Sequence, residues 1–169
     1  MDELLRGIFS LSYWDVLADI HGMLGMLLLI LFGLAMGLYF SLDKFAQAAH
    51  WLKYTLLTLV ANLVAVDIAG LYIYGAYRAE GGPRTLLKAS ADTSWFHTIL
   101  FEHKEMLAYA PWLLILVALV IVAVLKERLH TQEYRTLRLI VLFSVALSLV
   151  FVLTIAGEAV LVTKVAPLR

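Results

Sequence analysis

His21 and His103 are the residues whose type and spacing first suggest chemistry. With helix caps at Ser12 and near Ser94, each lies nine residues into an apolar segment, about 13 Å along a helix that rises 1.5 Å per residue. Two segments crossing a bilayer in opposite directions then hold imidazoles at one depth. That suits the iron of haem b, which takes an axial nitrogen on each face while the porphyrin slots between helices. Gly22 and Gly25 beside His21, with Gly70 and Gly157 in other segments, leave room for a flat macrocycle. Arg78, Arg84 and Lys88 are placed to pair with its propionates. His97 is a spare candidate ligand, which leaves open one haem or two, and Met23, Met26 and Met106 are lesser ones.

The same stretch of sequence supports two other chemistries. An ionisable group inside a bilayer costs about 2.5–3.5 kcal/mol even on the lenient insertion scale, so each one needs a reason. Asp67 and Glu158 lie inside otherwise apolar segments, and Glu102 and Glu105 flank His103. With the histidines these carboxylates form a candidate metal site for one or two hard or borderline cations. However, bundles that hold two irons pair Glu-x-x-His motifs, whereas Glu-x-x-Glu occurs here once. His103 also points about 100° around the helix from Glu102, so these residues cannot all face one ion. Alternatively, Asp67, Glu158 and the histidines form a proton path or hold a quinone headgroup, with Tyr72, Tyr74 and Tyr77 nearby. Asp67 can also simply pair with Lys104. His50 and His130 read as interfacial, and Gly33-x-x-x-Gly37 as close helix packing.

These residues need elements that cross a membrane. The chain of 169 residues is 63% hydrophobic and 15% charged, with mean hydropathy +0.89. Soluble domains run at about 45–50% and 25%. Residues 22–40 carry no charge, enough helix for a span. The reading is all-α: an integral membrane four-helix up-and-down bundle forming a single domain over 1–169, with spans near 13–40, 51–77, 94–125 and 137–163. Pro111 should loosen the backbone near Leu107. The residues before the first span (MDELLRG) are mixed in charge and no small-x-small site follows, so it is expected to be retained rather than cleaved as a signal peptide. MDELLRGIFSLSYW reads as an interfacial amphipathic piece with Leu4, Leu5, Ile8 and Phe9 on its apolar face.

Charge and cysteine content narrow the classes further. The net charge is zero, which gives no reason to expect nucleic acid. With no cysteine, disulfides, thiolate metal sites, iron–sulfur clusters and covalent haem attachment are excluded. No nucleophilic triad, phosphate loop or dinucleotide fingerprint appears, so neither a hydrolase nor an NAD enzyme is expected. The two short links carry Lys44, Lys53, Lys126, Arg128, Arg135 and Arg138 against Asp43, Glu127 and Glu133. The positive-inside rule therefore predicts a plasma-membrane protein with both termini on the extracytoplasmic side.

DIHGMLG at 19–25, FHTILFEHKEML at 96–107 and TIAGEAVLV at 154–162 carry a likeness to small four-helix membrane b-type cytochromes, which the chain resembles as a pattern across its four spans. The resemblance implies haem b bound without covalent attachment and one-electron transfer. A small membrane chain of this kind is expected to assemble with other membrane or extracytoplasmic subunits of a redox complex.

Overall fold

The computed structural model describes residues 13–44 and 47–166 of the chain, and all regular structure among them is helical. Ser12 and the amphipathic N-terminal segment lie outside the described residues. In hydrocarbon the backbone must satisfy its own hydrogen bonds, which a helix does within one segment. Four stretches are long and apolar enough to cross a membrane: Tyr13–Phe40, Ala48–Arg78, Ala91–His130 and Gln132–Val165. The first two are single helices, α1 (Tyr13–Phe40) and α2 (Ala48–Arg78). A short helix, α3 (Pro83–Lys88), lies in the long link. The third span is segmented into α4 (Ala91–Trp95), a π-helical turn (Phe96–Phe101), α5 (Glu102–Leu107) and α6 (Tyr109–Leu125). Two 3-10 turns lead into α7 (Arg135–Val165).

Consecutive spans pack side by side and α1 also meets α7, so the four close an up-and-down ring. Two apolar clusters hold it. The larger fills one end, with Phe32, Leu52, Leu56, Ile115 and Val141 fully buried. A smaller one at the other end gathers Tyr77, Leu87, Phe101, Val162 and Ala166. Packing gives little directional preference among helices in lipid, so interhelical hydrogen bonds help set their register. Asn62 donates to the Leu24 carbonyl at 2.9 Å, and Ser148 donates to the Pro111 carbonyl at 3.0 Å.

The third span is interrupted for identifiable reasons. Pro111 has no N–H to offer the Leu107 carbonyl; the break falls at Ala108 and leaves Pro111 in the first turn of α6, where proline is tolerated. The cap expected near Ser94 lies four residues earlier. Ser90 Oγ accepts from the Asp92 N–H at 3.2 Å, while Ser94 gives its hydroxyl to the Ala91 carbonyl inside α4. In the preceding link, Gly81 has φ +73° and Gly82 lies against the end of α2. A Cβ on Gly82 would meet the carbonyl oxygens of Ala76 at 2.6 Å and Ala79 at 2.9 Å. Pro83 then starts α3 at a position that needs no N–H partner.

At the opposite end Arg138 makes a two-pronged contact with Asp43, at 2.8 and 2.7 Å. The Arg138 guanidinium beside Asp43 holds its carboxyl below the usual carboxylate range, chiefly through these hydrogen bonds.

Gly82→Ala must displace backbone rather than a side chain, and should cost about 1–3 kcal/mol, read as a lower melting temperature in detergent. The Asp43 pair contributes stability above the unfolded carboxylate value of about 4, and that contribution is lost as pH falls through the lowered folded value. Between about pH 5 and 3, the melting temperature of the wild type should therefore fall further than that of Asp43→Asn.

Candidate functional site

Between the two apolar clusters each span contributes an ionisable side chain: His21 from α1, Asp67 from α2, Lys104 from α5 and Glu158 from α7. This layer borders a cavity of about 660 Å³, within the range of small-molecule sites. Its walls include His21, Asp67, Gly70, Tyr74, Phe101, Lys104, Glu105 and Tyr109, with Ile155 from the fourth span. Leu71, Met106 and Tyr109 also line it and are 67%, 79% and 62% exposed, so its mouth opens on the outer surface of the bundle.

His21 is half-buried, and its Nδ1–H donates to the Val66 carbonyl at 3.1 Å. That fixes the ring and leaves Nε2 for whatever occupies the cavity. Gly70 lies beside the ring, and a Cβ there would stand 3.5 Å from it, an ordinary packing contact. On the facing wall the Lys104 ammonium lies 4.9 Å from the centre of the Phe101 ring. It sits in the field of Asp67, Glu105 and Glu158 without closing an ion pair with any of them.

His103 faces elsewhere. Its Nδ1–H donates to Glu158 Oε1 at 2.6 Å, and it is absent from the cavity wall that holds His21. Its side chain is 53% exposed, while Glu158 is buried and its Oε2 has no hydrogen-bond partner among the described residues. The π-helical turn accounts for the direction. It places an extra residue in one turn between the start of the span and His103, and so rotates everything beyond it by about 100° relative to a regular helix.

His97 is 2% exposed and both its nitrogens are engaged. Arg84 Nε–H donates to Nε2 at 3.3 Å, so the ring proton sits on Nδ1 and is donated to the Tyr77 hydroxyl oxygen at 2.9 Å. Tyr77 stacks on Phe101 with centroids 3.9 Å apart. This cluster ties α3 to the second and third spans.

Other expected residues separate from the cavity. Gly22, Gly25 and Gly157 have open space where a Cβ would stand, and Met23 and Met26 are exposed. The Arg78 guanidinium covers the Tyr74 ring at 4.4 Å. Of the carboxylates, Asp67, Glu102 and Glu105 line the cavity and Glu158 does not. No three His, Asp or Glu side chains converge to hold an ion among the described residues. Of the two histidines expected as axial ligands, His21 lines the cavity and His103 does not; of the lesser candidates Met106 lines it too.

Lys104 and Arg84 are the residues whose roles here the residue-type reasoning missed. Phe101, Lys104, Glu105, Ala108 and Tyr109 follow the i, i+3, i+4, i+7, i+8 spacing of one helix face, a signal that would have picked out Lys104 and left His103 off the stripe. Nothing in the spacing marks Arg84. No family model matches the chain, and neither the curated proteins nor the solved structures contain a match.

Tyr77→Phe leaves the His97 Nδ1–H buried without an acceptor and should cost about 1–3 kcal/mol in detergent unfolding. Thr98→Ala, at an exposed position one residue on, should stay within about 0.5 kcal/mol of wild type.

Proposed function

We propose that the chain is a membrane subunit that binds a lipophilic quinone in this cavity and exchanges protons with its headgroup. One observation carries the reading: His21 and Lys104 stand on different walls of a largely apolar and aromatic cavity whose mouth has lipid-facing residues at its rim. A quinone ring needs an apolar slot for its tail and hydrogen-bonding groups for its two oxygens. Lys104 donates to one oxygen, and His21 Nε2 donates to the other when protonated and accepts from a hydroquinone hydroxyl when neutral. Asp67 is the adjacent proton store, and the Glu158–His103 pair leads from the layer to the exposed side of α5. Electrons come from a partner subunit. The surplus of basic residues beside the short links favours those links on the cytoplasmic side of the plasma membrane, with the cavity toward the outer leaflet.

Isothermal titration of the full-length protein in detergent with a decyl-substituted benzoquinone tests this. One saturable site is expected, weakened about tenfold by His21→Ala and by Lys104→Met, the worth of one charge-assisted hydrogen bond. His50→Ala, at the other end, should bind as wild type does. Without saturable binding to the wild type the quinone reading fails.

A second reading has its own support. The His21 Nδ1–H on a backbone carbonyl is the arrangement that orients iron-bound imidazoles, so His21 remains a candidate ligand for haem b. Protein produced with haem supplied should then give a reduced-minus-oxidised spectrum with a sharp α-band that His21→Ala abolishes; a featureless spectrum rejects it.

A further inference from the structure

The end of the bundle opposite the cavity carries a second pocket, of about 520 Å³, where the C-terminal end of α1 meets the start of α7. Its lining combines two chemistries: His130, Thr131, Gln132, Arg135 and Arg138 are polar or basic, and Tyr39, Phe40, Leu139 and Leu142 are largely apolar. Phe40 and Leu139 are 59% and 42% exposed, so the apolar part continues onto the lipid-facing surface.

The charges in the pocket are not balanced internally. Arg138 is clamped to Asp43, and His130 lies in the field of that same carboxylate. Arg135 is exposed and makes no hydrogen bond or ion pair among the described residues. Nearby, the links supply Lys44, Lys126 and Arg128 against Glu127 and Glu133, so the end as a whole is basic. An uncompensated guanidinium in one pocket with apolar side chains at the membrane boundary calls for a ligand with an anionic head and a hydrocarbon tail.

We propose that this pocket binds an anionic phospholipid, with the phosphate against Arg135 and His130 and an acyl chain along Phe40, Leu139 and Leu142. Basic pockets between helices at a membrane boundary recognise such headgroups, and each basic residue near the surface is worth about a fivefold change in binding. A free phosphate ion offers the same headgroup chemistry, but it would leave the apolar part of the pocket unused.

Native mass spectrometry of the full-length protein tests the proposal, with phosphatidylglycerol and phosphatidylcholine of identical chains offered in equal amounts. Preferential retention of phosphatidylglycerol is expected. Arg135→Gln should lower it about fivefold, and Arg135→Lys should retain most of it. Arg135 has no partner among the described residues to lose, so the glutamine variant should melt with the wild type in lipid-free detergent. Equal retention of the two lipids, or no effect of Arg135→Gln, overturns the proposal. So does inorganic phosphate raising the melting temperature through Arg135 while phosphatidylglycerol is not retained, because the ligand is then a soluble anion.

Discussion

An ionisable side chain at depth in hydrocarbon is costly, and the bundle gathers one from each of its four spans into a single layer. Its apolar residues fall into two clusters rather than one continuous core, and the layer left between them receives a titratable group from every span. There the interhelical contacts become directional: His21 on the Val66 carbonyl and His103 on Glu158. Leucine gains little from leaving lipid for another helix, so these polar contacts, with Asn62 on Leu24 and Ser148 on Pro111, define how the spans sit against one another.

The third span departs most from a plain helix, and it borders the cavity. Its π-helical turn and the break at Ala108 bracket α5, the segment carrying His103, Lys104 and Glu105. Of these three consecutive polar residues, Lys104 and Glu105 line the cavity and His103 meets α7. The upper end of the same span is held by the His97 cluster, where Arg84 reaches in from α3 and Tyr77 from α2. Interruptions of this kind recur at functional sites because they re-aim side chains at a modest cost in helix hydrogen bonding.

The two ends of the molecule are chemically distinct. One combines imidazole, ammonium and carboxylate groups with aromatic walls, a set that can hold a ring ligand and move protons. The other is basic, with its main ion pair on the surface and a pocket whose lining holds both guanidinium and hydrocarbon groups. On the two proposals above, proton exchange belongs to one end of the bundle and headgroup binding to the other.

The sequence by itself determined the helical class and the four long apolar stretches, because bilayer thickness and backbone hydrogen bonding admit few alternatives for such composition. It also determined that polar groups from all four spans would share one part of the bundle, since their distances along each helix are countable from the residue numbers. The break near Leu107 was legible from Pro111. Direction around the helix was legible only locally, where the spacing of Phe101, Lys104 and Glu105 marks one face and leaves His103 off it. The reading of His21 and His103 as a facing pair assumed a regular turn from a cap near Ser94, whereas the helix starts after Ser90 and passes through a π turn before His103. The tertiary structure alone turned His103 to Glu158 and opened a cavity against the face that carries Lys104. It alone engaged both nitrogens of His97, through a tyrosine twenty residues away and an arginine on a separate short helix. Such choices depend on which side chains meet across helices, and a linear spacing carries that information only while the helix stays regular.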